Sequence, residues 1–542
     1  EVYLKRERER GREGGGRRVG TLAPGVAAYL LAMSLSAAAS HAGGRQSGSV
    51  GSSQGRSQVK EPRTLILLDV NTKHSFKTVN ENFLSIQLDP AVIHDGWIDF
   101  LSGNDVHIIP SILLYIVRSA IALDKQKGCK IAQHPDIMLE LQREKASQMQ
   151  VSLLKEQLSN SYSNITVTAR SLDKLYNFAE CSGLHLIFGL NSLLRNADKS
   201  WNGSSALSLL KYCAGKKYNI SWELGNEPNS FRTMTGRTIN GSQLGRDYVQ
   251  LKGLLQSVRY YTKASLYGPS IGRPRRNAVT LLDGAHHQDG RMAKVADFMK
   301  TRLLDTLSDQ IAKVHRVVHK RAPGKKVWLG GVGPAWASGT NNLSDTYAAG
   351  FLWLHTLGMS AKQGIDVVIR NSFFDHGYNH LVDQNFNPLP DYWLSLLYKR
   401  LVGTKVLTVH VAGLQRKPRP GRIIRDKLRI YAHCTHFRNH NYPRGSITIY
   451  IINLHRSRKK IKLTGALRDK TAHQYLLQPH GTQGLQAKSV QLNGRLLALL
   501  DDETFPEMKP KTLRAGRILV VPPLSIGFYV VKNANAPCCK FR

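Results

Sequence analysis

From residue 65 to residue 401 the chain alternates short apolar runs with longer stretches of helical spacing. Residues 65–70, 84–88, 184–190, 220–224, 264–268, 326–329 and 365–369 are apolar runs of strand length. Residues 206–212, 297–318, 347–357 and 392–401 space their apolar side chains as helices do, and 132–158 reads as a solvated amphipathic helix. A helix between successive strands returns the chain across the sheet, so the alternation predicts parallel strands. This many repeats predict a (β/α)8 barrel of TIM type over 76–402. Beyond Val402 the helical spacing stops. Residues 406–411, 428–433, 446–452, 460–463 and 518–531 are strand-like runs divided by turns, the pattern of an antiparallel β-sandwich over 403–542. Residues 62–75 are expected to add one N-terminal strand to it.

The first 61 residues follow other rules. A basic, glycine-rich start precedes the apolar run Val26-Ala27-Ala28-Tyr29-Leu30-Leu31-Ala32-Met33, and small residues follow at 37–42. That order predicts a secretory signal within 1–42, then a Gly/Ser/Gln-rich flexible linker over 43–61. No later apolar run reaches the length of a membrane span.

Composition narrows the partners. With 42% hydrophobic and 8% aromatic residues the chain has enough apolar material for a large core. Its 76 Lys+Arg against 38 Asp+Glu give a net charge of +38. Such a field attracts polyanions, whether nucleic acid, sulfated glycan or anionic membrane. Export to the cell surface or extracellular matrix favours sulfated glycan over nucleic acid. Sequons at Asn164, Asn202, Asn219, Asn240 and Asn342 agree with export, since they are N-glycan acceptors. Six cysteines without a C-x-x-C or a His/Cys cluster suggest a disulfide or two and no metal site; no cofactor is expected.

The chemistry centres on Asn226-Glu227-Pro228, directly behind the strand run 220–224. A carboxyl at the C-terminal end of a barrel strand is where such folds present catalytic groups. Glu227 would protonate a leaving glycosidic oxygen, and Asn226 would orient carboxylate or substrate. The bland reading is a surface glutamate at a turn. A retaining mechanism needs a second carboxylate about 5–5.5 Å away. Its natural place is the end of the run 326–329, where the chain reads Gly330-Gly331-Val332-Gly333-Pro334; no Asp or Glu occurs from 322 to 344. A glycine cannot attack an anomeric carbon.

Residues 222–229, 344–357 and 378–401 closely resemble the heparanases, barrel-fold endo-β-glucuronidases, and the runs 123–130 and 414–422 resemble an inactive branch of that family. The resemblance spans roughly 63–542. It implies that Glu227 matches the family's acid/base and Asn226 its neighbour, and that Gly331 stands where the family has its nucleophilic glutamate. It also implies pairing of Cys129 with Cys181 and of Cys434 with Cys539, leaving Cys213 free and Cys538 without a counterpart. Departures are informative. The family's Tyr before His-Leu-Val-Asp is displaced in Tyr378-Asn379-His380, and no activation linker is recognisable, so no two-chain maturation is expected. Family strands are missing between 101 and 116 and between 284 and 289, which predicts an opened barrel.

Three basic clusters remain: Arg273, Arg275 and Arg276; Arg416, Lys417, Arg419, Arg422, Arg425, Lys427 and Arg429; and Arg456, Arg458, Lys459, Lys460 and Lys462. Any one alone reads as a solvated loop. Three in an exported basic chain point to a polyanion, because guanidinium forks match sulfate as they match phosphate. The first resembles a heparin-binding segment of active heparanase. The sequence therefore predicts a secreted, heparan-sulfate-binding pseudoenzyme, and the resemblance implies that it restrains heparanase by competition or direct binding. The alternatives are an endo-β-glucuronidase using an unrecognised carboxylate, and an intracellular nucleic-acid binder.

Overall fold

The computed structural model describes residues 65–88, 105–106, 114–117, 167–272, 293–335, 339–373, 378–383, 387–413, 427–500 and 504–541. The expected signal, the linker and the helix over 132–158 lie outside the described residues.

Seven strands form one sheet in the order Trp328–Val332, Val367–Arg370, Leu84–Leu88, Leu114–Val117, His185–Leu190, Ile220–Leu224, Leu266–Tyr267. Leu114–Val117 runs antiparallel to both neighbours, and every other pair is parallel. The gap expected between 101 and 116 is thereby corrected. Without a strand in that slot, Leu84–Leu88 and His185–Leu190 would each expose an unpaired row of N–H and C=O groups. A short reversed strand satisfies both edges.

The seam expected near 284–289 lies outside the described residues. Leu266–Tyr267 and Trp328–Val332 are the two end strands of the order, with no strand between them among the described residues. The Tyr267 and Trp328 rings meet there, centroids 4.5 Å apart, and pack on Ile187, Val367 and Ile369. Aromatic area thus covers the sheet interior between the ends.

Helices Ala169–Cys181, Ser204–Gly215, Gly241–Ser257, Thr301–Arg321, Ala349–Gln363 and Pro390–Leu401 supply the outer layer. Their starts are written in the sequence. Thr168 Oγ1 accepts from Ser171 N at 3.0 Å, and Asn240 Oδ1 accepts from Gln243 N at 2.8 Å, each satisfying an N–H that the first turn leaves unbonded. Pro390 opens its helix where a missing N–H costs nothing. Ile220, Trp222 and Leu224 pack on Leu209, Leu210, Leu251 and Leu255. Leu329 and Val368 pack on Leu304, Ile311, Phe351 and Leu354. Each fully buried leucine contributes about 2 kcal/mol of apolar transfer.

Two further sheets enclose a third core. One has four strands in the order Val409–Ala412, Leu65–Val70, Lys459–Leu463, Leu519–Val521. The N-terminal strand is antiparallel to the first and parallel to the third. The other sheet centres on Ala472–Pro479, Ser525–Val531, Ile447–Asn453, Leu428–Thr435 and Val402–Leu407. Ile66, Leu68, Val70, Ile449, Ile451, Ile461 and Tyr529 fill the space between them. Two runs expected to be single strands are each divided between the sheets. The first breaks at Thr408, and the second at Pro522-Pro523, where missing N–H groups interrupt a ladder.

Candidate active site and basic surface

The strand Ile220–Leu224 is buried along its whole length. Its register places Ser221 beside Ile187 and Glu223 beside Tyr267, so these two side chains face the sheet interior while Trp222 and Leu224 face the helices. Ser221 Oγ lies 2.7 Å from His185 Nε2. Glu223 is 3% exposed, and its Oε2 has no hydrogen-bond partner. Burial disfavours its charged form and pushes its pKa up to about 8, so the carboxyl is held mostly protonated at neutral pH. The sequence reading passed over Glu223. The available signal was an acid within a short strand whose other residues are apolar apart from Ser221.

The chain then turns sharply. Gly225 has φ 72° and donates to Leu190 O at 2.8 Å. A Cβ there would stand 2.3 Å from Ser192 Oγ, so only glycine fits. Asn226 Oδ1 accepts from Ser270 Oγ at 3.2 Å, and Glu227 N donates to Ser270 O at 3.1 Å. Pro228 opens the one-turn helix Pro228–Ser230, and Asn229 Oδ1 accepts from Gly272 N at 2.7 Å. Glu227 itself sits at φ 47°, ψ 53°. A bulky residue in that left-handed region costs roughly 1 kcal/mol and is concentrated at functional sites. Its carboxylate is half-buried and meets no hydrogen-bond donor among the described residues.

At the end of Trp328–Val332, Gly331 occupies φ 60° within an irregular register against Val367–Arg370, between Leu329 and Val332. The position holds no side chain, and Gly330 and Val332 beside it offer no acid. At the end of Val367–Arg370, Arg370 is fully buried; its Nη2 donates to Asp391 Oδ2 at 2.9 Å and its Nη1 to Asn379 O at 2.7 Å. Asn379 Nδ2 donates to Ala335 O at 2.7 Å, which ties the stretch Tyr378-Asn379-His380 to the loop after Gly331. Burial pushes the His380 imidazole pKa down, leaving it neutral.

The basic clusters fare differently. Arg273, Arg275, Arg276, Arg416, Lys417, Arg419, Arg422 and Arg425 lie outside the described residues. Arg429 is committed elsewhere: its two amino groups donate to the two carboxylate oxygens of Asp305, at 2.8 and 3.2 Å. The third cluster is free. Arg456 and Arg458 are exposed, and Lys459, Lys460 and Lys462 are half-exposed; none pairs with an acid among the described residues. Lys460 and Lys462 share the outer face of the four-stranded sheet, in register with Leu65 and Leu67, about 6.6 Å apart along the strand.

Cys434 and Cys539 are joined by a disulfide, while Cys213 is buried and free and Cys538 is half-buried and free. Cys129, the side chain of Cys181 and Asn164 lie outside the described residues. Asn219, Asn240 and Asn342 are exposed, and Asn202 is half-buried. No helix among the described residues is long and apolar enough to cross a membrane.

The chain is similar to known proteins. The profile for "Glycosyl hydrolase family 79, N-terminal domain" matches residues 118–273 and 284–358. The chain is 64% identical to "Inactive heparanase-2" of Homo sapiens over 96% of each protein. It is 47% identical to "Heparanase" of Mus musculus over 71% of this chain and 73% of that one. Among solved structures, an alpha-L-arabinofuranosidase from Thermotoga maritima superposes with a TM-score of 0.50 at 11% identity, covering 86% of this chain and 100% of that one. At that identity the likeness speaks to the fold alone.

Proposed function

The chain belongs to the heparanase family, and from that premise we propose that it is a secreted, heparan-sulfate-binding member with no hydrolytic activity. Its seven-stranded sheet is read as the derivative of a (β/α)8 barrel, and its two C-terminal sheets as a β-sandwich. The observation that carries the inactivity is Gly331. The acid/base position survives at Glu227, but the strand end that would offer a nucleophile offers a backbone kink. Glu223 is not a substitute. It lies on the same strand as the approach to Glu227, is 3% exposed, and its carboxyl is mostly neutral at physiological pH. The 64% identity to a relative named as inactive supports the same reading.

Binding rests on cations without counter-charges. Arg456, Arg458, Lys459, Lys460 and Lys462 stand within one short stretch, and each would release a counterion on meeting sulfate. Restraint of an active heparanase then needs affinity and no chemistry, since occupied heparan sulfate is withheld from the enzyme. The test has two arms. The purified chain is incubated with heparan sulfate, and it is added to an active heparanase acting on the same polymer. Slower cleavage that is relieved by excess substrate supports competition; slower cleavage that persists supports direct binding to the enzyme. Turnover by the chain alone, or failure to be held by immobilised heparin at physiological salt, overturns the proposal. N-glycan on Asn219, Asn240 or Asn342 of the secreted material checks the export reading.

A further inference from the structure

The sulfur atoms of Cys434, Cys538 and Cys539 lie within 4.8 Å of one another, and those of Cys538 and Cys539 are 3.7 Å apart. We propose that these three cysteines form a thiol–disulfide exchange site, in which Cys538 can replace Cys539 as the partner of Cys434. The step balances without any outside oxidant. The Cys538 thiolate attacks Cys434 Sγ, the Cys434–Cys538 bond forms, and the Cys434–Cys539 bond breaks. The electron pair leaves on the Cys539 sulfur, which takes up the proton that Cys538 gave away.

The surroundings make both partners reachable. Cys434 is buried near the end of the strand Leu428–Thr435, which fixes one side of the bond. Cys538 and Cys539 are consecutive on the one-turn helix Pro537–Cys539, so the alternative needs only a local re-aiming of that turn. The turn is held by Gly445 N donating to Cys539 O at 3.2 Å, and by Lys405 Nζ donating to Cys538 O at 3.0 Å and Phe541 O at 2.8 Å. These contacts grip backbone carbonyls, and they leave the unbonded Cys538 sulfur free to rotate about its Cα–Cβ bond.

Loop entropy does not choose between the two bonds. The present disulfide spans 105 residues and the alternative one residue fewer, a negligible difference in a logarithm of loop length. A direct Cys538–Cys539 bond would close a strained ring between neighbours, so Cys434 is the shared partner. A metal is not the occupant of the oxidised site, because two of the three sulfurs are already bonded to each other. Burial raises the Cys538 thiol pKa, and Lys405 works against that rise. The thiolate is therefore scarce at neutral pH. Exchange should accelerate about tenfold per pH unit below that pKa.

The decisive variant is Cys539→Ser in the full chain. The expected result is a Cys434–Cys538 disulfide, found by mapping unreduced peptides by mass spectrometry, with Cys213 as the only thiol alkylated after denaturation among Cys213, Cys434 and Cys538. Cys434 and Cys538 both alkylated in that variant would overturn the proposal. A second measurement covers a variant that fails to fold. The unaltered protein is held at mildly alkaline pH, quenched in acid, alkylated and mapped. Label divided between Cys538 and Cys539 is the expected outcome, and label on Cys538 with none on Cys539 overturns it.

Discussion

Gly272 lies directly over the carboxyl of Glu227: a Cβ built on Gly272 would come within 2.8 Å of Glu227 Oε2 and equally close to Ser230 Oγ. The acid is roofed by backbone and touched by no donor among the described residues. Gly272→Ala should therefore lower stability by about 1 kcal/mol through overpacking. Glu227→Ala in the same chain should recover part of that loss, a coupling that urea unfolding of the two single variants and the double variant would measure. Glu227→Gln should leave heparin affinity unchanged, because the acid makes no contact with the free cations.

Gly331 carries its own prediction through φ 60°. Any residue with a Cβ is strained there, by roughly 1–2 kcal/mol for most types and less for asparagine, whose side chain tolerates the left-handed region. Gly331→Glu and Gly331→Ala should thus lose similar stability, with Gly331→Asn losing less. A glutamate that cost no more than asparagine would show that the site has room for a carboxylate side chain. Heparan sulfate cleavage by Gly331→Glu, set beside the unaltered chain, then reads whether that room is enough for chemistry.

Much of this arrangement could be read from residue order, and the exceptions have physical causes. The strand 220–224 and its Asn-Glu-Pro turn were legible because apolar run, glycine and proline all point to the same break. The helices Ala169–Cys181 and Gly241–Ser257 were not singled out, although Leu172, Leu175 and Ala179 in the first and Leu244, Leu251 and Leu255 in the second recur at helical spacing; their caps, Thr168 and Asn240, were a further signal. The reversed strand Leu114–Val117 could not be foreseen, because strand direction is set by which edges need partners and not by local propensity. Arg429 looked like a glycan ligand only because its partner Asp305 is 124 residues away. Charge runs show cations, and only the fold shows which are already paired.

That distinction between Arg429 and the lysines yields a paired prediction. Arg429→Ala removes a two-pronged, half-buried ion pair with Asp305, and should cost on the order of 1 kcal/mol of stability while leaving heparin binding largely intact. Lys460→Ala with Lys462→Ala should do the reverse. Stability changes little, and the slope of log affinity against log salt falls by roughly 1–2. Equal slopes for the two sets would remove Lys460 and Lys462 from the binding surface.

Two buried titratable groups pull the stability of the chain in opposite directions with pH. His355 Nε2 donates to Leu304 O at 3.1 Å and Nδ1 accepts from Tyr431 Oη at 2.8 Å, so the neutral ring is fully satisfied. Burial pushes its pKa down to about 4, with Arg429 adding to the effect. The unfolded chain then binds more protons between pH 6.5 and 4, and stability is lost as pH falls through that window. Glu223 behaves oppositely. Its pKa is pushed up from 4.5 to about 8, so the folded chain binds more protons, and stability is lost as pH rises from 4.5 towards 8. Glu223→Gln removes only the second slope. Urea unfolding at pH 5 and pH 8 should show the variant gaining on the unaltered chain at the higher pH, by on the order of a few kcal/mol. The gain is a difference between two pH values, so it survives any constant cost of placing an amide there. A stability difference that stays flat from pH 5 to pH 8 would mean that Glu223 is ionised inside the fold, with a partner or water answering its charge.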